Sequence, residues 1–468
     1  MIQLTITEIL EATEGVLLRG HSDTAISGVS TDSRKAGPGY LFIPLKGERY
    51  DGHDFIQGAF ESGASAALTE RSAADIYNAV AGQDAQVGDK ILIKVGNTLK
   101  ALQDIAAYYR SKFPIPFVGI TGSVGKTSTK DMVACALGAG YNVLKNEGNL
   151  NNEIGVPLTI FNLEDYHEAA VVEMGMSGVG EISTLTGIVR PKVGIITNIG
   201  ISHIEKLGSR QNILKAKLEL LEGLQPDGLL ILNGDDVMLS GVKDLLNVRT
   251  VSYGLEEGVD YQAYNVRSRG ENGIDFGITI GGREYNVHLP TPGVHNVYNA
   301  LAALAAGHEL GIDIPELIRG IAAYSPGSMR LNIIKANGIT IINDVYNASP
   351  QSVKAAIDVL DELEAGRRIA VLGDMLELGE WSVDAHLETG HNAAGSRADI
   401  VITVGKAAAD IARGAVEAGF PPENTVMTES NKQAMDYLGR IISKGDAVLV
   451  KGSRGMKMEE IVNGLISG

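Results

Sequence analysis

The sequence predicts an α/β protein of three domains, and three observations carry that prediction. The chain has 468 residues, too many for one hydrophobic core. Short apolar runs alternate with helical segments twice, once between residues 113 and 233 and again between 368 and 452. A stretch between these regions, about 250–290, alternates apolar and polar residues at period two around Gly-rich turns. A composition of 44% hydrophobic residues with 57 glycines suits packed layers joined by tight turns.

Taken in order, residues 1–95 alternate short strands and helices, with "YLFIPLKGERYDGHDF" at 40–55 and a helix-to-strand passage, "DFIQGAFESGASAALTE", ending at Glu70. A linker is expected near 96–116, where "FPIP" precedes the strand "FVGI". The strands "YNVLK" (141–145), "AAVVEM" (169–174), "VGIITNIG" (193–200) and "GLLILN" (228–233) come next, separated by helices. Such continuous apolar strands mark a parallel sheet covered on both faces. "DYQAYNVRSRG", "GIDFGITI" and "REYNVHL" then predict an antiparallel appendage, followed by a helix over 295–310 and a second linker, "YSPGSMR", at 324–330. Strands "RIAVLG" (368–373), "DIVITVG" (399–405) and "AVLVKG" (447–452) form a Rossmann-like, doubly wound unit. The expected domains are 1–95, 96–325 and 326–468.

Composition excludes several function classes. Forty basic against 57 acidic residues give a net charge of −17, and only 5% of residues are aromatic, which opposes nucleic-acid binding. No apolar run is long enough for a membrane span, and "MIQLTITEILEATEG" lacks the form of a signal peptide, so a cytoplasmic protein is expected. Cys135, the single cysteine, lies mid-helix among apolar residues and reads as a packed core thiol.

The chemistry begins at "FVGITGSVGKTSTKDMVACAL". A glycine-rich turn between an apolar strand and a helix is the context of a phosphate-binding loop. Backbone N–H groups of Gly122, Ser123, Val124, Gly125, Lys126, Thr127 and Ser128 would cradle nucleotide phosphates, Lys126 would supply a point charge, and the Thr127 hydroxyl would reach Mg²⁺. Glycines at 119, 122 and 125 make this a T-G-x-x-G-K-T variant of the usual spacing. The nearest match to a guanine-reading N-K-x-D is "NKQA" at 431–434, which lacks the aspartate. Glu173, ending "AAVVEM", is the acid expected to hold the metal, and His203 lies in the loop after strand "VGIITNI", where open α/β sheets form their ligand crevice.

With those residues in hand, longer runs resemble one family. "TGSVGKTSTK", "GNLNNEIGVPLT", "EMGMSGVGEI", "TNIGISHIEKLGS", "KAKLE", "PGVHNVYNALAA", "INDVYNASPQSVKAA", "VLGDMLELGE" and "KGSRGMKME" occur in the order typical of Mur ligases. "STDSR" (30–34) and "LFIPLKGERYDGHDF" (41–55) resemble the UDP-binding domain of the branch that adds D-alanyl-D-alanine to UDP-N-acetylmuramoyl-tripeptide. The resemblance implies an ATP-dependent amide ligase of peptidoglycan precursor synthesis, working through an acyl phosphate, in a monomeric protein. It implies that Thr127 and Glu173 hold the nucleotide's Mg²⁺ and His203 a second metal. Asn149 and Asn152 would face phosphate and tripeptide, and Asn296 and Asn299 the adenine, the alternative for Asn296 being a helix N-cap. Arg330 and Asp344 would reach the nucleotide from the C-terminal domain, with Asn347 nearer the dipeptide. Thr31, Asp32, Ser33, Arg34, Lys46 and Gly47 would form the uridine-diphosphate pocket; a loop closed by an Asp32–Arg34 salt bridge is the alternative. Rivals are another Mur-type ligase, a folylpolyglutamate-type ligase, which lacks that first domain, and a nucleotide-gated binding protein without turnover.

One helix poses a question of its own. In "NILKAKLELLEGL" (212–224), Leu214, Leu218, Leu221 and Leu224 predict an apolar stripe, and Lys217 falls on it. Lys215 lies about 200° away at roughly 100° per residue, free to pair with Glu219 and Glu222 on the surface. A buried ammonium is desolvated and tends to the neutral amine, which can add CO₂ to give a carbamate. The resemblance aligns Lys217 with a carbamylated lysine of the family, expected to join His203 on the second metal. The alternative is that Lys217 snorkels past the leucines to water.

Overall fold

The computed structural model describes residues 3–72 and 89–467. It is a three-domain α/β structure, as expected. The N-terminal sheet has five strands in the order Val16–Arg19, Ile91–Lys94, Ala66–Thr69, Tyr40–Phe42, Gly28–Ser30, parallel except for the first pair.

The central sheet has nine strands. Six are parallel, in the order Val143–Lys145, Ala169–Glu173, Phe117–Thr121, Val193–Ile196, Leu229–Asn233, Arg249–Gly254. The predicted appendage extends this sheet as Tyr261–Ser268, Ile274–Ile280 and Arg283–Leu289, antiparallel to one another. Every residue of Phe117–Thr121 and Ala169–Glu173 is buried, as strands covered on both faces require. Register aligns the strand ends. Glu173 pairs with Ile120 and Ile196 with Thr121, so three strands end level with one another. The loops that leave them share one edge of the sheet, and that edge becomes the site.

The C-terminal sheet runs Asn332–Ala336, Ile339–Asp344, Ala447–Lys451, Arg368–Gly373, Ile400–Val404, Thr425–Thr428, parallel except for the first hairpin. Asp344 pairs in register with Lys451, placing opposite charges at adjacent strand ends.

Two expectations are corrected. Residues 96–116 are not an extended linker: Thr98–Ser111 is a 14-residue helix capped by Asn97, and Tyr109 on its buried face donates to the Leu163 carbonyl at 2.8 Å. The N-terminal core and one face of the central sheet therefore form one continuous apolar cluster through this helix. The predicted helix 212–224 divides into Arg210–Leu218 and Leu220–Gly223. Its fully buried apolar residues are Ile213, Ala216 and Leu220, with Leu214, Leu218 and Leu221 only partly covered. Glu219 does not pair with Lys215; it turns inward and accepts from the backbone N–H groups of Gly180 and Ser183 at 2.8 and 3.1 Å, at the start of helix Glu181–Val189. Those free N–H groups and the helix dipole outcompete an exposed ammonium.

Cys135 is partly covered on the helix Lys126–Leu137, and burial pushes its thiol up. Among the described residues no helix is long and apolar enough to cross a membrane.

Candidate active site

A cavity of about 560 Å³ opens where the shared edge of the central sheet meets the C-terminal domain. Its floor is the turn after Phe117–Thr121. Gly122 has φ +151°, and a Cβ there would lie 1.9 Å from Thr197 Oγ1, so a side chain is excluded. Gly125, at φ +85°, caps the helix Lys126–Leu137 without any side-chain bond, which leaves the helix N-terminus open toward the cavity. The turn is held from behind by the loop after Val193–Ile196. Thr197 Oγ1 and Asn198 Nδ2 donate to the Val124 carbonyl at 2.7 and 2.9 Å, and the Gly200 N–H donates to Ser123 Oγ at 2.8 Å.

Lys126 is folded back on this turn and donates to the Gly122 and Ser123 carbonyls at 2.9 and 3.3 Å. Burial lowers its pKa, opposed by Glu173 and reinforced by Arg330. Thr127 Oγ1 donates to Glu173 Oε2 at 2.7 Å, and Asn151 Nδ2 donates to the other oxygen at 2.7 Å. Asn146 fixes the Glu173 backbone on both sides, accepting from its N–H at 2.9 Å and donating to its carbonyl at 3.1 Å. The carboxylate is thereby aimed before any ligand arrives.

On the far wall a chain of side-chain bonds orients two asparagines. Thr129 Oγ1 donates to Asn299 Oδ1 at 2.8 Å, Asn299 Nδ2 to Asn296 Oδ1 at 3.0 Å, and Asn296 Nδ2 to the Pro292 carbonyl at 2.8 Å. Helix Val294–Glu309 is capped by Gly293, so Asn296 is not the N-cap. The C-terminal domain supplies the roof. The Arg330 guanidinium stacks on the Tyr346 ring at 3.9 Å. Asp344 pairs with Lys451 at 2.5 Å, and Lys451 also donates to the Asn347 carbonyl at 2.9 Å.

His203 lines the cavity from a left-handed position, φ 61°, with Nδ1 2.8 Å from Glu377 Oε2. Burial, then the nearby Lys126 charge, lowers its pKa. Lys217 lies behind this wall at 1% exposure and makes no hydrogen bond or ion pair to any described residue. Burial, with the charge of Lys126, lowers its pKa well below the usual lysine value, while Lys215 is exposed.

Several predicted residues stand elsewhere. Asn149 is exposed and outside the cavity, whereas Asn152 lines it and accepts from the Gly155 N–H at 2.8 Å. Thr31, Asp32, Ser33, Arg34, Lys46 and Gly47 belong to the N-terminal domain and do not line this cavity. There Arg34 donates to Asp32 at 2.8 and 2.9 Å, holding its carboxyl at about 2, and Lys46 pairs with Glu70. The local salt bridge raised as the alternative is thus present. Asn146, Asn151, Asn198, Tyr346 and Lys451 were not singled out from the sequence. Lys451 carried a usable signal, an ionisable residue closing the apolar run "AVLVK", as Glu173 closes "AAVVE".

Comparison with known proteins agrees with this arrangement. Residues 25–110 match the Mur ligase family catalytic domain, 120–307 the Mur ligase middle domain, and 329–454 the Mur ligase glutamate ligase domain. The chain is 43% identical to the UDP-N-acetylmuramoyl-tripeptide–D-alanyl-D-alanine ligase of Bacillus subtilis, covering 100% of this chain and 99% of that protein. A crystal structure of MurF from Acinetobacter baumannii superposes with a TM-score of 0.89 at 30% identity, covering 100% and 99% of the two chains. MurF from Thermotoga maritima in complex with ADP gives a TM-score of 0.82 at 28% identity, covering 94% and 97%. The chain belongs to the Mur ligase family.

Proposed function

We infer that this protein is an ATP-dependent ligase that joins D-alanyl-D-alanine to UDP-N-acetylmuramoyl-tripeptide. The observation that carries this reading is the 43% identity with the Bacillus subtilis ligase over the whole of both chains. A carboxylate oxygen of the tripeptide attacks the γ-phosphorus of ATP and ADP leaves. The dipeptide amine then attacks the acyl carbon, phosphate leaves, the amine gives up a proton, and an amide remains.

Both partners in the first step are anionic, so the site must be cationic even though the chain is not. Lys126 and Arg330 both line the cavity and are the charges we assign to the phosphates. Asn296 and Asn299 are assigned to adenine, Asp344 to the nucleotide, Asn152 to the tripeptide and Asn347 to the dipeptide. The acyl phosphate hydrolyses if water reaches it, and a roof contributed by a separate domain suits its exclusion.

The residues present fit a divalent cation. Thr127 and Glu173 offer hard oxygen donors in contact with each other, and His203 offers an imidazole. When bound, Mg²⁺ neutralises charge on the phosphoryl oxygens. Lys217 as an ammonium would repel a metal beside His203. A neutral Lys217 amine adding CO₂ with loss of a proton gives an anionic carbamate, and its burial without a partner supports that form. We assign carbamylated Lys217 and His203 to a second cation.

The same reading gives residues 1–95 the UDP-linked substrate through Thr31, Asp32, Ser33, Arg34, Lys46 and Gly47, residues 96–325 the ATP, and residues 326–468 the dipeptide. It also implies a cytoplasmic monomer. Phosphate release measured with each substrate omitted in turn is the test. Release that requires both UDP-N-acetylmuramoyl-tripeptide and D-alanyl-D-alanine supports the ligase; release needing neither refutes it.

A further inference from the structure

The contact between His203 and Glu377 crosses from the central to the C-terminal domain. Both residues hold left-handed backbone, φ 61° and 63°, a conformation that costs a non-glycine residue energy and persists only where the surroundings enforce it. Around Glu377 the enforcement is visible. The Met375 N–H donates to His386 Nε2 at 3.0 Å, the Leu376 N–H to Ser453 Oγ at 2.9 Å, and Asp374 Oδ1 accepts from the Ala408 N–H at 2.7 Å. Two residues on, Gly379 at φ +54° lies against Glu205, where a Cβ would come within 3.0 Å of its side chain. The loop is therefore seated on the short turn that carries His203.

A carboxylate oxygen can only accept, so Glu377 at 2.8 Å favours a proton on His203 Nδ1, the tautomer that leaves Nε2 with its lone pair. Histidines that ligate metals are commonly oriented in this way by a second group, which sets the tautomer and the ring plane. Here that second group belongs to the other domain.

We propose that Glu377 is a positioning residue for the cation site, and that through it cation binding and docking of the C-terminal domain favour each other. The proposal rests on the assignment of His203 as a cation ligand. Reciprocity is required by linkage: if the docked domain tightens cation binding, the bound cation holds the domain docked by the same factor.

The test uses the full-length protein with ADP and Mn²⁺ as the probe, free Mn²⁺ being counted by electron paramagnetic resonance. The Glu377 side chain is 67% exposed, so its replacement should leave the fold intact, which circular dichroism checks. Glu377→Ala should weaken the His203-dependent Mn²⁺ site by about 10–100-fold, with partial recovery in Glu377→Gln, whose amide oxygen can still accept. In a His203→Ala background, Glu377→Ala should have no further effect. Wild-type Mn²⁺ affinity in Glu377→Ala, alongside weakened binding in His203→Ala, overturns the proposal and leaves the ligand assignment standing. Wild-type affinity in His203→Ala overturns both.

Discussion

Between the N-terminal and central domains the chain runs through helix Thr98–Ser111, whose buried face joins two cores into one. Between the central and C-terminal domains it runs through residues 323–331, which form neither helix nor strand. Contacts across that second junction are mostly polar among the described residues. His203 meets Glu377, Ser268 donates to Glu362 at 2.8 Å, and Lys335 pairs with Glu271 at 2.8 Å. Ile201 packs against both cores, the buried Val359 lies on Gly293, and Gly379 lies against Glu205. The cavity inherits this difference. Its floor and far wall are locked by buried hydrogen bonds within one domain, whereas Arg330, Asp344 and Lys451 arrive on a body held mostly by polar contacts. An enzyme that must open for three substrates and close against water needs one such loose joint.

The comparison can be broken at several strengths. The largest effect is expected in the locked half: Lys126→Ala should lower turnover by on the order of 10²–10³-fold or more while the chain stays folded, because it removes charge from a site of developing phosphate charge. Near-normal phosphate release from folded protein would end the phosphate-loop assignment. Tyr109→Ala should then cost about 3–5 kcal/mol in denaturant unfolding, since it empties a fully buried ring site in the first junction. On one helix, Lys217→Ala should lose most of the activity and Lys215→Ala little; initial rates that are alike would contradict the carbamate assignment. The smallest effect belongs to the second junction, where Lys335→Ala should change stability by less than about 1 kcal/mol, as for an exposed ion pair. A loss like that of Tyr109→Ala would show that the two junctions do not differ.

How much of this was legible in the sequence depends on what each signal measures. Strand runs such as "RIAVLG" were placed to the residue because a strand buried on both faces must be apolar throughout. Glycine spacing marked the phosphate loop because two of its positions admit nothing else. Lys217 stands out by helical period as well as by resemblance, although the leucines that share its stripe are only partly buried. The division of the helix at Glu219 is invisible locally, and the N–H groups that Glu219 accepts from, at Gly180 and Ser183, lie about 36 residues upstream. Asn146 and Asn151 were missed for the same reason: they act on Glu173, a residue far along the chain, through bonds that no local pattern encodes. The prolines at 114 and 116 signal a break only on the C-terminal side of helix Thr98–Ser111, and nothing in them bears on the residues that Asn97 caps.

Spin-label distances across the two junctions test the central claim most directly. With Cys135 replaced by alanine, exposed positions 61, 165 and 417 can carry labels on the N-terminal, central and C-terminal domains. Addition of a non-hydrolysable ATP analogue with UDP-N-acetylmuramoyl-tripeptide should leave the 61–165 distance unchanged and alter and narrow the 165–417 distribution. A shift across the first junction with none across the second would contradict the account.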